Sequence, residues 1–595
     1  MKRKKHREEL SMKESLTKYR ITRDERAQIK QRFKRTGGLT RKKLIEYIPA
    51  MLITNLSTLL LISVDGLVVG NLVGGKALSA VNIFSPATLL IGVISAMIAS
   101  GIGICLSTGV GANDPQKLLR TKSAMKKMMA IAAIFVSIAQ IPAVFLIISS
   151  YHLSPEMETM TRQYAIGVMI ASPFGLISTV GVHQLQIVGK MKALMWLAIM
   201  EGIANLVLDV VFVSGFHMGV AGAGFGTAGA NILRCTATVL FLVKKTNVFR
   251  SHGVKSGWKE CKEILSYGLP DASHALILAA QNYFIMLVIL ATLGENGGII
   301  KGTCAFAFSV TNVLISSVQG SLRPLMGLMI GSKDHDGTRL LLRQGLSFVT
   351  VFVSIIVVII ELFPGMFYHF HGINDIPDGG ELSLRLFAVS FLFAAFNTIF
   401  RLYYSNRKDT GFSSTLTVAG HAAIPLLAFI LTRFLPGPFL WLGNLIAELI
   451  ILAFNMKRYT YWLNKDIAEQ DKDEKTFYLT VTPDKAVEAS QMIQRFAKEN
   501  GCSARIAYRV ALCMEEMVAY IEASGDGAEI DTQIIVRFLH DSAHFIIIDN
   551  GRCIVLDDNP ESQELITNNY ALIKKMAKSV NHRYILNLNY TMFEF

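Results

Sequence analysis

The chain has 595 residues, of which 51% are hydrophobic and only 17% charged, with a mean hydropathy of +0.41. A soluble protein of this length rarely combines so much apolar residue with so little charge, so composition excludes a soluble enzyme and points to an integral membrane protein. The formal net charge of +14 is gathered at one end: residues 1–43 carry 17 Lys or Arg against Glu8, Glu9, Glu14, Asp24 and Glu25.

Residues 1–44 therefore read as a basic cytoplasmic arm able to touch membrane lipid of negative charge. No nucleic acid is expected there, because the arm leads straight into a membrane span. The arm also lacks the apolar core and cleavage site of a secretory signal. Apolar segments of spanning length then recur near 45–69, 80–107, 125–150, 162–187, 192–214, 220–243, 264–291, 304–330, 345–369, 383–404, 412–434 and 438–457. Loop charge tests this count of twelve, since cytoplasmic loops collect Lys and Arg. The second loop carries Lys117, Arg120, Lys122, Lys126 and Lys127, and the sixth Lys244, Lys245, Arg250, Lys255, Lys259 and Lys262. The alternate loops YHLSPEMETM, GFHMGV and HGINDIPDGG carry none. Both termini are thus expected in the cytoplasm of a multi-pass protein of the cell membrane.

An internal repeat is present. Gly111-Ala112-Asn113-Asp114 leads into Leu118-Leu119-Arg120, and Gly331-Ser332-Lys333-Asp334 leads into Leu341-Leu342-Arg343. Each tetrad follows the second span of a six-span half, which predicts two parallel lobes, 45–243 and 264–460, joined by a cytoplasmic loop over 244–263. The seven cysteines form no C-x-x-C pair, so neither a disulfide framework nor a zinc site follows from them.

The stretch EGIANLVLDVVFVSGFHMGVAGAGFGTAGA, residues 201–230, carries Asn205 and Asp209 four residues apart, on one helical face, with Thr227 further on. A carboxylate at membrane depth costs roughly 2.5–3.5 kcal/mol even on the gentler insertion scales unless it meets a cavity, a partner or an ion. A helix-end Asp reaching water is the plain alternative to a cation or proton site. Apolar sequence on both sides favours the site.

Several of these residues fall into an ordered set: Asp65-Gly66, Val69-Gly70, Gly75-Lys76-Ala77-Leu78, the tetrad at 111–114, Gly189-Lys190, Asn205-x-x-x-Asp209, and Met218-Gly219-Val220-x-Gly222-Ala223 with Thr227. Over about residues 40–460 the chain resembles the multidrug and toxic compound extrusion (MATE) transporters. The resemblance implies an α-helical polytopic membrane protein with twelve transmembrane helices in two six-helix bundles. It further implies alternating access and export of small amphipathic or cationic compounds against Na⁺ or H⁺, with no cofactor required and no enzymatic step. It carries an ion-coupling role onto Asp65, Asn205, Asp209 and Thr227, with Na⁺, if it is the ion, held by Asp65, Asn205 and Asp209. Carboxylates and neutral oxygens can coordinate a bare Na⁺ or take a proton instead. Thr179, His183 and Gln184 of the fourth span are further contacts to consider, although a lone histidine more often packs through a hydrogen bond. In the second lobe, Asp271 beside Pro270 can meet ion or cargo, or cap a broken helix. Glu448 lies in the twelfth span, and the aromatics of the tenth, Phe387 among them, line a cavity or simply pack. One rival is a lipid-linked saccharide flippase, which needs Arg and Lys for pyrophosphate; Arg234, Arg323 and Arg401 are the candidates at membrane depth.

Residues 461–476 read as a charged linker, and 477–595 as a soluble α/β domain. Strands are expected at FYLTVT, IDTQIIVRFL and HFIIIDNG, helices over 484–500, 503–522 and 561–579, and a closing strand pair at RYILNLNYTMF. With Glu515-Glu516 on a helix and Asp549-Asn550-Gly551 after a strand, this tail resembles the histidine-kinase-type ATPases, in particular the anti-sigma-factor serine kinases. The resemblance implies Glu516 as base, Asp549 as adenine acceptor and Gly551 as the turn. Two parts depart from the pattern. Tyr520 stands where an Asn would hold Mg²⁺, and the lid stretch TNNYALIKKMAKSV has no Gly. The departures predict a degenerate, regulatory domain with a cytoplasmic protein partner and little Mg-ATP binding, against the rival of a membrane-anchored ATPase or protein kinase.

Overall fold

A computed structural model describes residues 38–112, 114–151, 154–245, 254, 256–370, 373, 375–472, 475–482, 485–523, 530–539, 542–553 and 574–595. Residues 1–37 of the basic arm, residues 246–253 and 255 of the loop at 244–263, and most of the expected helix at 561–579 lie outside them. The chain divides into two compact units. One is Leu44–Phe454; the other joins the residues up to Lys43 with Asn455–Phe595.

The first unit is built of long helices, the one open-ended secondary structure that satisfies every backbone N–H and C=O within itself in lipid. In chain order they are α1 (Gly38–Leu72), α2 (Gly75–Gly111), α3 (Pro115–Tyr151), α4 (Pro155–Val188), α5 (Met191–Val210) and α6 (Val220–Lys245). The second half has α7 (Trp258–Gly294), α8 (Asn296–Gly331), α9 (His335–Leu362), α10 (Gly380–Asn406), α11 (Thr410–Thr432) and α12 (Leu442–Lys472). Gly294 separates α7 from α8 with φ 58° and ψ −148°, a conformation that a side chain would strain. Among the described residues, eleven segments are long and apolar enough to cross a membrane; with the 35-residue α1 they make twelve spans in two halves of six. On α3, Ile134, Ile138, Ile141 and Phe145 recur every three to four residues and are exposed, as a lipid-facing stripe should be.

The repeat has a structural counterpart. Asp114 Oδ1 accepts from the Lys117 amide at 2.9 Å and Asp334 Oδ1 from the Gly337 amide at 2.8 Å, so each tetrad ends in the N-cap of the next helix. The glycine of each tetrad lies against the backbone of the helix that leads into the other tetrad. A β-carbon on Gly111 would overlap the Leu328 carbonyl of α8, and one on Gly331 would overlap the Thr108 carbonyl of α2. Gly101 of α2 and Gly268 of α7 repeat this reciprocal backbone contact. Small residues are what allow helices to approach so closely within a membrane.

In the second unit, α12 continues unbroken to Lys472, so the expected linker at 461–476 is largely helical. The reason is local. Residues 464–472, NKDIAEQDK, contain neither Gly nor Pro, and they extend a helix already nucleated. Strands β1 (Lys475–Val481), β2 (Thr532–Phe538), β3 (Ala543–Asp549), β4 (Ser579–Ile585) and β5 (Leu588–Glu594) form one antiparallel sheet in the order β1-β2-β3-β5-β4. Helices α13 (Ala486–Glu499) and α14 (Ala504–Ala523) share a core with the sheet through Ile493, Val510, Met514, Ile534, Phe545 and Phe593. Leu586 and Asn587 both take positive φ, 60° and 53°, giving the two-residue turn whose twist suits a hairpin. Of the helix expected at 561–579, Lys574–Met576 are helical and Ser579 already begins β4.

Candidate functional site

Four helices bring polar groups together in the first half. Asp65 of α1 is 8% exposed, and Asn205 and Asp209 of α5 are fully buried. Thr227 Oγ1 of α6 donates to Asp65 Oδ2 at 2.8 Å, and Asn205 Nδ2 reaches Asp65 Oδ1 at 3.3 Å. Asn205 Nδ2 also lies 3.4 Å from Thr227 Oγ1. The four residues singled out in the sequence thus form one cluster. Asp209 stands near enough to Asp65 for the two carboxyl groups to repel or to share a proton, and among the described residues no N–H or hydroxyl donates to its oxygens or to Asn205 Oδ1.

Two residues of the cluster escape the sequence reading. Tyr164 of α4 donates its hydroxyl to Asp65 Oδ2 at 3.0 Å, and its ring is held edge-on by the buried Phe84 at 6.1 Å. Gly226 of α6 lies against Asp209, whose Oδ1 fills the place a β-carbon would take. The backbones of α4 and α6 meet at Gly167 and Gly224; a β-carbon on Gly224 would stand 2.7 Å from the Tyr164 carbonyl. That approach carries Tyr164 and Thr227 to the same carboxylate. Immediately beyond Asp209, Val211–Gly215 forms a π-helical turn, a local widening often found beside functional residues.

Depth along the helices was the signal for Tyr164. Asp65 lies seven residues before the end of α1, Tyr164 nine after the start of α4, and Thr227 seven after the start of α6. In an up-and-down bundle these positions share one level. Thr179, His183 and Gln184 sit fifteen to twenty residues further along α4, roughly 22–30 Å at 1.5 Å per residue, and are not brought to the cluster. Thr179 donates to the Gly175 carbonyl, and His183 Nδ1 lies 3.3 Å from the Thr179 carbonyl, as in a packed histidine.

Asp271 belongs to another group. Its Oδ2 pairs with Arg323 at 2.9 Å and accepts from Ser100 Oγ of α2 at 2.5 Å, while Arg401 Nε is 3.9 Å from Oδ1. Arg323 also donates to Ser100 Oγ at 2.6 Å. Asp271 thus ties the two halves beside the Gly101–Gly268 contact and caps nothing. Arg234 is taken up by an ion pair with the buried Glu201.

In the tail, Asp549 ends β3 fully buried, accepting on Oδ1 from the Gly551 amide at 2.9 Å and Asn589 Nδ2 at 2.7 Å, with Oδ2 unpartnered. Burial raises its carboxyl to about 6, against the lowering by Asn589 and the Gly551 amide. Glu516 is half-buried on α14, and Tyr520 packs against the apolar core.

Residues 50–211 match the family profile described as MatE. The chain is 24% identical over 260 residues to the probable multidrug resistance protein YpnP of Bacillus subtilis, covering 43% of this chain and 57% of that protein. It is 22% identical over 230 residues to the multidrug export protein MepA of Staphylococcus haemolyticus, covering 38% and 50%. The chain spans about half the length of the curated relatives it matches. Among solved structures, an outward-facing multidrug resistance MATE family transporter superposes with a TM-score of 0.66 at 19% identity, over 71% of this chain and 96% of that one. A MATE structure in the bent conformation gives 0.66 at 19% identity over 73% and 100%. Likeness at such identity shows the fold.

Proposed function

Residues 50–211 match the MatE profile and the membrane region has the MATE fold, and from that premise we propose that the chain is a cation-coupled antiporter of the MATE family in the cell membrane. It exports small amphipathic or cationic compounds by alternating access, with a cytoplasmic tail that regulates it. The observation that supports coupling is the uncompensated pair Asp65 and Asp209: among the described residues Asp65 has only neutral N–H and hydroxyl donors, Asp209 meets only the Asp65 carboxyl, and neither has a basic partner. Two buried carboxylates without a basic partner call for a cation, and three buried oxygens without partners stand ready for one. Asp65, Asn205 and Asp209 would hold Na⁺; a proton on either carboxylate would relieve the same repulsion.

Loop charge orients the chain with both termini inside. In that orientation the cluster lies in the outer half of the first lobe, and the glycine contacts of α2 with α7 and α8 lie in the cytoplasmic half. Entry of the driving ion neutralises the acids, and this change of charge biases the two lobes between their arrangements. The flippase rival loses support from the arginines it would need, since Arg234, Arg323 and Arg401 each face a carboxylate. For the tail, regulation is favoured by its attachment. Helix α12 runs on to Lys472, shortly before β1 in the sequence, and Lys42 at the start of α1 forms an ion pair with Asp531 at 2.7 Å.

Transport by Asp65→Asn and Asp209→Asn proteins in proteoliposomes, under separately imposed Na⁺ and pH gradients, tests the coupling. Gradient-driven export should be lost with membrane insertion intact; wild-type rates in both variants would overturn the assignment. Calorimetry of the full chain with Mg-ATP tests the tail, where turnover would favour the enzyme rival.

A further inference from the structure

The second half contains a cavity of about 290 Å³ between α7, α8, α10, α11 and α12, at the small end of the roughly 300–1,000 Å³ usual for small-molecule sites. Its walls carry both signs of charge. Glu448 of α12 is 5% exposed; its Oε2 accepts from Asn397 Nδ2 at 2.7 Å, and its Oε1 faces His421 Nδ1 at 3.9 Å. Lys301 of α8 lines the same cavity and makes no ion pair or hydrogen bond among the described residues. Two donors on the approach to α12 and its first turn are buried and unpartnered: Trp441 Nε1 and Asn444 Nδ2, in residues 3% and 5% exposed. Gln281 Oε1, an acceptor, is unpartnered too. Aromatic faces complete the lining, with the Phe387 ring 5.0 Å from that of Trp441.

A buried donor or acceptor left unmade costs about 1–3 kcal/mol, so this many in one cavity point to a guest that satisfies them. The requirement is two-sided. Lys301, Trp441 and Asn444 present N–H groups and positive charge, which an anionic oxygen group answers. Glu448 and Gln281 present acceptors, which an ammonium answers, and the aromatic faces favour the same cation and an apolar body. We propose that this cavity is a binding site for a small zwitterion bearing a carboxylate and a protonated amine on an aromatic or apolar body. It lies in the other half from Asp65 and Asp209 and does not depend on their role in coupling.

The test measures binding to the purified full chain of three probes: phenylalanine, phenethylamine, which lacks the carboxylate, and 3-phenylpropionate, which lacks the amine. Phenylalanine should bind at least tenfold more tightly than either trimmed probe. Glu448→Gln should reduce phenylalanine to the level of 3-phenylpropionate, and Lys301→Met to that of phenethylamine. Trp441→Phe keeps the ring and removes the N–H, and it should weaken the two carboxylate-bearing probes while sparing phenethylamine. Asp65→Asn protein should bind phenylalanine like the wild type, so failure of the coupling reading and failure of this site are read separately. Equal binding of all three probes, no binding of any at millimolar concentration, or indifference to Glu448→Gln and Lys301→Met in folded protein overturns the proposal.

Discussion

Asp209 Oδ1 on α5 occupies the space that the β-carbon of any other residue would need at Gly226 on α6, and the Asp209 amide lies only 2.9 Å from that same point. The fit sets the Asp209 carboxylate directly against the backbone of α6, in space that only a glycine leaves free. Gly226→Ala should therefore displace Asp209 and lower ion-driven export by about tenfold or more, the factor that accompanies roughly 1.4 kcal/mol. Transport in proteoliposomes, set beside the amount of protein inserted, checks it; full activity would mean that the carboxylate position is unimportant.

Tyr164 gives Asp65 one of its three neutral donors. Tyr164→Phe keeps the ring against Phe84 and removes only the hydroxyl. A hydrogen bond to a charged group contributes about 1.5–3 kcal/mol. The half-saturating concentration of the driving ion should shift by about tenfold or more, with the maximal rate little changed, in a titration of transport against Na⁺ or pH.

At the contact between the halves, Gly331→Ala should hold α8 off α2, because its β-carbon would meet the Thr108 carbonyl. Cys105, buried on α2, is a native reporter. In a protein whose other cysteines are replaced by Ser, the Gly331→Ala change should speed alkylation of Cys105 by a maleimide; an unchanged rate would mean that the contact opens freely without it.

Removing Arg323 leaves Asp271 with Ser100 and the more distant Arg401. Losing one partner of a buried ion pair costs about 3–5 kcal/mol. Arg323→Ala should accordingly lower the Tm of the detergent-solubilised protein by several degrees, and Asp271→Asn in the same chain should restore part of it.

Asp549 makes the tail sensitive to pH. Its carboxyl, raised to about 6 by burial, holds a proton more tightly in the folded domain than in the unfolded chain. Stability is therefore highest below the ordinary carboxylate pKa of about 4, falls as pH rises through about 6, and is level above; the whole change is at most about 3 kcal/mol. Hydrogen exchange of β2 and β3 in the full chain should quicken across that window, and Asp549→Asn should flatten the profile.

The sequence by itself determined the spans, their count and the two-lobed plan. Each of these follows from local properties: apolar runs that must become helices in lipid, loop charges, and a tetrad repeated at the same place in each half. It also marked Asn205, Asp209 and Thr227, because polar oxygens within apolar sequence stand out on composition, and the family resemblance added Asp65 to them. The α/β order of the tail was legible for the same kind of reason, from strand alternation and amphipathic helices. Tyr164 and Gly226 were not legible, since a tyrosine and a glycine in a membrane helix have many uses and only their neighbours decide among them. The pairing of Asp271 with Ser100 and Arg323, the removal of Thr179, His183 and Gln184 from the site, and the convergence of Lys301, Trp441 and Glu448 on one cavity are likewise matters of tertiary structure. Each depends on how helices distant in the chain are rotated and how closely they approach, and that is set by interhelical packing, on which no single helix carries the information.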